Sequence, residues 1–189
     1  MNGTRPYRLA RRAERQAQTR QRIVEAAVDL HTTVGPATTS ISAIAKHAGV
    51  ERHTVYAHFP DETALFEACS SHWIDANPFP DVAAWLAIAD PGERLRCALR
   101  DVYGWYDGVE DALVLFVRDG DVFPSWGEAR RRRLAELADL LARDLPRRKA
   151  VRAAVGHAVE FETWRSLVRT QGLSNRAAAE AMARLAETL

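Results

Sequence analysis

Between Glu51 and Pro60 the chain places Arg52, His53, Thr54, Tyr56 and His58 in one short segment, with Val55 and Phe59 as its apolar members. The guanidinium fork of an arginine engages two acceptors at once, as on O6 and N7 of a guanine, which makes Arg52 the first candidate for reading a base. His53 offers an imidazole that meets either a base or a phosphate. Thr54, Tyr56 and His58 add hydroxyl and imidazole donors suited to phosphate oxygens, contacts that fix position without reading sequence. Upstream, Ser40 at a helix start binds phosphate through its hydroxyl and amide, and Ser42 on the next turn approaches a base edge. These are donors for a polyanion. No nucleophile motif, phosphate loop or metal cluster accompanies them.

Such donors act only if a framework aims them. From Thr19, Ile23, Ala26, Ala27, Leu30 and Val34 recur at the spacing of one helical face, and Gly35-Pro36 ends the helix. Thr39 or Ser40 then caps a short helix with Ile41, Ile44, Ala45 and Ala48 inward. Gly49 closes it in the left-handed conformation of a tight turn. The next helix turns Val55 and Phe59 in and leaves the donors largely outward. Three helices, the last two joined by a tight turn, predict a helix-turn-helix.

Charge points the same way. Residues 1–60 hold nine Lys or Arg against four acids, a net +5, while residues 61–189 carry −4 and the whole chain only +1. Each phosphate neutralised by a cation releases a condensed counterion, so a basic first third suits a nucleic-acid partner. Hydrophobic residues at 47% and charged residues at 27% describe a globular chain. The absence of a long apolar run excludes a membrane span, and the Arg-rich start with no apolar stretch after it does not fit a secretory signal, which predicts a cytoplasmic protein. Cys69 and Cys97 lack the C-x-x-C spacing and read as reduced, inert thiols.

Beyond residue 60 the pattern stays helical, giving an all-α fold. Asp61 caps a helix to about Ala76, and Asn77-Pro78-Phe79-Pro80 interrupts. Asp90 to Glu93, Asp107 to Glu110 and Ser125 to Glu128 each have capping-box spacing and predict three helix starts. The helix after Ser125 presents Leu134, Leu137, Ala138, Leu141 and Leu145 on one face, and Pro146 closes it. From about Arg148 to Gln171 apolar residues occupy two faces of one long helix, and Ser174 caps a final alanine-rich helix. A hairpin of that kind needs a second neighbour, which a two-fold dimer made mainly by residues 148–189 supplies.

The segment Thr19–Leu65 resembles the DNA-binding region of the TetR family. The match comprises the Thr-Arg opening and Ile-x-x-Ala-Ala of the first helix, Ile-Ala-x-x-Ala-Gly-Val of the second and Thr-Val-Tyr-x-His-Phe of the third. The charge pattern gives a basic arm over 1–18, and the resemblance implies a helix-turn-helix domain over 19–60 and a helical effector-binding and dimerisation domain over 61–189. It also implies a homodimer on a palindromic operator in double-stranded DNA, with repression relieved by a small effector. Three departures stand out. His31 replaces an aromatic residue, Glu62 stands where the family usually has a phosphate-meeting Lys, and the arm before Thr19 is long.

For the effector, the aromatics Tyr103, Trp105, Phe116, Phe123, Trp126, Phe161 and Trp164 offer an apolar lining, or simply core. His157 and Glu160 are one turn apart, but two ligands do not make a metal site. The run Arg130 to Arg133 fans round its helix as a solvated face. No cofactor is implied. The competing readings are a ligand-independent dimeric DNA-binding protein and an enzyme using Asp101, Asp119 or Glu160 as an acid or base in the aromatic region. The second lacks any motif, so no enzyme is expected.

Overall fold

The computed structural model describes residues 4–189, with side chains from Tyr7 onward. Among the described residues all regular structure is helical, in ten α-helices. They divide into two compact units, one of Met1–Pro78 with Asp111–Phe123 and the other of Phe79–Glu110 with Pro124–Leu189.

The first unit contains α1 (Thr4–Thr33), a 3-10 turn (Pro36–Thr38), α2 (Ile41–Ala48), α3 (Arg52–His58) and α4 (Glu62–Ala76). α1 packs on α2, α3 and α4. Its Ile23, Ala26 and Ala27 meet a core to which Ile44, Val55, Leu65 and Phe66 contribute, all buried. Burying the larger of these side chains stabilises by about 1.5–3 kcal/mol each. Ser40 caps α2 by accepting from the Ala43 N–H at 3.2 Å. Gly49 ends α2 at φ 66° and ψ 40°, and Asp61 caps α4 by accepting from the Ala64 N–H at 2.8 Å. His31, 4% exposed, lies tilted against Phe66 and 3.3 Å from the Cys69 sulfur. Burial lowers its pKa from 6.5 to about 4 and pushes the Cys69 thiol up to about 12, so both are neutral and the thiol is a poor nucleophile.

α1 begins far earlier than the Thr19 expected from the apolar pattern. Arg, Ala, Gln, Leu and Glu between Pro6 and Thr19 favour helix, and Pro6 falls in the first turn, where a missing N–H costs nothing. Periodicity registers burial, and this stretch buries nothing. The expected basic arm over 1–18 is therefore helical from Thr4; Met1–Gly3 and the Arg5 side chain lie outside the described residues.

The second unit contains α5 (Val82–Leu86), most of α6 (Pro91–Arg118), then α7 (Pro124–Ala142), α8 (Lys149–Ala158), α9 (Phe161–Arg165), a π-helical turn (Ser166–Thr170) and α10 (Asn175–Thr188). α8 packs against α7 and α10, over a core that includes Leu95, Leu99, Val102, Leu141, Val155, Trp164 and Ala179. Arg94 is nearly fully buried. It donates to the Ile88 carbonyl from Nε (3.1 Å) and from a terminal nitrogen (3.0 Å), and to Asp144 at 2.6 Å, satisfying its charge where water cannot.

Two expected helix starts are corrected. Asp90 does cap, accepting from the Glu93 N–H at 2.7 Å. Asp107 and Glu110, however, lie inside an unbroken α6 and bind Arg169 instead, with Arg169 Nε donating to Glu110 at 2.7 Å. Ser125 falls inside α7, which starts at Pro124, the residue type whose ring suits a first turn.

The long helix expected over Arg148–Gln171 is also broken. Val159 ends α8 and Glu160 is extended, at φ −75° and ψ 140°. The break costs backbone hydrogen bonds, and two tyrosines replace them. Tyr103 donates its hydroxyl to the Ala158 carbonyl at 2.8 Å, and Tyr106 donates to that of Val159 at 2.7 Å. Further on, the Gln171 N–H reaches back five residues to the Ser166 carbonyl.

Candidate nucleic-acid interface

α2 and α3 are short and held by their apolar residues. Ile41, Ile44, Ala45 and Ala48 fix one, Val55 and the flanking Phe59 fix the other. The polar remainder faces solvent. Arg52, His53 and Tyr56 are exposed together on α3, while Thr54 and His58, one turn apart, are half-buried. Ser40 and Ser42 are both exposed on α2. Ser40 already accepts the Ala43 N–H, which leaves its hydroxyl proton free to donate outward.

A pairing not anticipated from the residue types organises this face. Arg52 donates from a terminal guanidinium nitrogen to the Tyr56 hydroxyl at 3.3 Å, and its guanidinium carbon stands 5.6 Å from the Tyr56 ring centroid. The i, i+4 spacing was the available signal. The hydrogen bond that Arg52 donates to Tyr56 is the main reason the Arg52 pKa rises above its ordinary value, with a smaller contribution from the Glu62 carboxylate. The fork is thus charged, exposed and partly pre-organised, which lowers the entropy lost when it engages a planar bidentate acceptor. Glu62, in the first turn of α4, places a negative charge where it attracts Arg52 and suits the helix dipole.

The face is positioned from behind by contacts within the first unit. The Asp29 carboxylate of α1 meets His47 of α2 at 3.2 Å. Arg20 of α1 lays its guanidinium 4.7 Å from the ring centroid of Phe59, the residue that caps α3. At the turn before α2, Gly35 is buried with φ 97°, and a side chain there would collide with Arg118 and Asp119. Asp119 accepts the Ala37 N–H at 3.0 Å and is itself held by Arg118 Nε at 2.6 Å. Arg118 also donates to the Val34 carbonyl at 3.2 Å. Neither Arg20 nor Asp119 was singled out as a positioning residue, because their partners are distant in sequence or not polar.

The aromatics expected to line an effector site are divided between the two units. Phe116 lies edge-on to Trp73, and Phe123 stacks on Phe66 with centroids 3.9 Å apart, both in the first unit. The second unit holds Tyr103, Trp105, Trp126, Phe161 and Trp164. There Tyr106 contacts Trp105, Phe161 and Trp164, and Trp105 also meets Phe79. Trp164 donates its indole N–H to Asn175 at 2.9 Å. His157 lies 3.2 Å from the Thr163 hydroxyl, and Glu160 pairs with Arg130 at 3.3 Å. Asp101 accepts the Trp85 indole N–H at 2.7 Å. Among the described residues no group of three or more His, Cys, Asp or Glu is placed to hold a metal ion. No helix among them is long and apolar enough to cross a membrane.

A three-helix unit that caps and packs two short helices so as to present the outer face of the second is a helix-turn-helix. Residues 23–69 match the model of the bacterial regulatory proteins, tetR family. Over 59 residues the chain is 44% identical to the HTH-type transcriptional regulator AcrR of Shigella flexneri, a match spanning 31% of this chain and 27% of that protein. Over most of its length it resembles the crystal structure of a TetR-like transcriptional regulator from Rhodococcus sp. RHA1. That likeness has 25% identity and a TM-score of 0.61, and covers 89% of this chain and 93% of the other. A structure assigned to the TetR family from Mesorhizobium loti MAFF303099 shares the fold at 21% identity and TM-score 0.60, covering 92% and 96%. Residues 23–69 are thus similar to the DNA-binding region of the TetR family, and the fold over most of the chain is similar to that of a TetR-like transcriptional regulator.

Proposed function

We propose that the protein is a ligand-responsive transcriptional regulator that binds a palindromic DNA operator as a homodimer and represses until a small, partly apolar effector releases it. The observation that carries the DNA-reading part is the exposed Arg52–Tyr56 pair on α3, presented by a packed helix-turn-helix. Arg52 reads a guanine edge, His53 and Ser42 approach bases or phosphates, and Ser40, Thr54, Tyr56 and His58 hold the backbone.

The dimer reading is supported by the outer faces of α8 and α10, which pack on each other and expose Ala150, Ala153, Ala177, Ala181, Leu185 and Leu189. Small residues there permit close approach of a second copy's helices. The effector reading draws on the second unit's aromatic group, Tyr103, Trp105, Trp126, Phe161 and Trp164, whose flat apolar rings suit a lipophilic molecule. Such a regulator works in the cytoplasm, requires no cofactor and catalyses nothing.

Selection of bound fragments from genomic DNA tests the reading. An enriched inverted repeat supports it, and binding without sequence enrichment overturns it. Compounds that quench the intrinsic tryptophan fluorescence and also release the enriched site establish the effector; a complete lack of responsive compounds leaves a ligand-independent regulator.

A further inference from the structure

The N-terminal extension of α1 has a form that the helix-turn-helix does not require. From Tyr7 to Gln18 every residue is exposed, so this stretch of helix buries no face in its own unit. At 100° per residue, Arg8, Arg11, Arg12, Arg15 and Arg22 fall in one stripe roughly 100° wide. Arg8 and Arg22 stand about 21 Å apart along the axis, the rise of about six base pairs of duplex. The opposite side carries Ala10, Ala13, Ala17 and Glu14, which give neither a bilayer nor a partner helix large apolar anchors.

Arg20 sits over Phe59 at the end of α3, so the helix that carries the stripe also holds the helix that carries Arg52. The spacing of the stripe is electrostatically unfavourable on a free surface. Arg8 faces Arg11 and Arg12, and Arg15 faces Arg11 and Arg12, at the i, i+3 and i, i+4 separations where like charges repel. A line of phosphates removes that repulsion.

We infer that the Arg8, Arg11, Arg12 and Arg15 stripe is a second DNA-binding surface, one that grips the phosphate backbone beside the operator without reading bases. This rests on the DNA-binding reading above. Its partner is the duplex itself, because the stripe provides point charges in a row, flanked only by Tyr7, whose ring centroid lies 5.7 Å from the Arg11 guanidinium carbon, and Leu9 as exposed large apolar side chains.

The test compares the full chain with a variant carrying Arg8→Gln, Arg11→Gln, Arg12→Gln and Arg15→Gln, a change that keeps helix propensity and removes four charges. Operator affinity is measured from low to physiological salt, alongside a duplex of scrambled sequence. The slope of log affinity against log salt is expected to fall by about 3 to 4 for each bound subunit, since each phosphate contact contributes about 0.9. The loss should be equal on both duplexes, and circular dichroism should show the same helix content in the two free proteins. An unchanged slope overturns the inference while leaving operator reading intact. Failure of the full chain to prefer any site overturns the underlying reading instead. Equal binding of full chain and variant to DNA, with loss only on vesicles of anionic lipid, would assign the stripe to a membrane surface and also overturn it.

Discussion

The backbone N–H of Ala37 donates to the carboxylate of Asp119 across 3.0 Å, joining the turn before α2 to the residue that follows α6. Arg118 completes the arrangement by gripping both oxygens of the same carboxylate and the Val34 carbonyl. Asp119→Ala leaves the Ala37 amide and the Arg118 charge without that partner and should cost about 1–3 kcal/mol. Urea unfolding at pH 7 measures it; a loss below about 0.5 kcal/mol would mean water replaces the carboxylate freely. Arg118 chiefly holds the Asp119 carboxyl below its ordinary 3.8, against the opposing effect of burial. A depressed carboxylate stabilises above the unfolded-state pKa. Its contribution therefore persists at neutral pH and fades only in acid, as pH falls from about 4 through the lower folded value.

Removing the hydroxyl of either tyrosine at the α8 break should unpair a carbonyl that has no helical donor. Tyr103→Phe and Tyr106→Phe are each expected to destabilise the chain by about 1 kcal/mol, with the rings still packed. Thermal unfolding followed by circular dichroism checks this. Unaltered midpoints in both variants would show that the break is satisfied without them.

His31 predicts a pH response. Its folded pKa lies near 4, against 6.5 unfolded, because burial disfavours the charged ring. Above about 6.5 the ring is neutral in both states. As pH falls from there to about 4 the unfolded chain takes up the proton first, so the folded state should lose stability on the order of 3 kcal/mol. His31→Phe removes that loss and should flatten the stability curve across this window. Parallel curves for the two proteins would contradict the account.

Legibility in the sequence followed burial and local capping. α2, α4 and α10 could be placed because their caps, Ser40, Asp61 and Ser174, bond the N–H three residues on. The same local rule misled at Asp107 and Glu110. Their Asp-x-x-Glu spacing matches a cap, but their true partner, Arg169, is some sixty residues away and visible only after folding. The extension of α1 was missed for the opposite reason, since a helix with no buried face leaves no apolar period. The break at Val159 was hidden because Val155, Ala158, Val159 and Phe161 are all buried, so the apolar pattern runs through it unchanged. The donors on α3 were readable by type, while the Arg52–Tyr56 bond that orders them required coordinates.

The central claim is that the outer face of α3 reads DNA through Arg52. It is tested most directly by measuring affinities of the wild-type chain and Arg52→Ala for the selected operator and for every single-base-pair variant of it. The account predicts that the substitution costs about 1–3 kcal/mol on the operator and abolishes discrimination at one base pair per half-site, with the other positions unchanged. An equal loss on every sequence would contradict it and make Arg52 a backbone anchor.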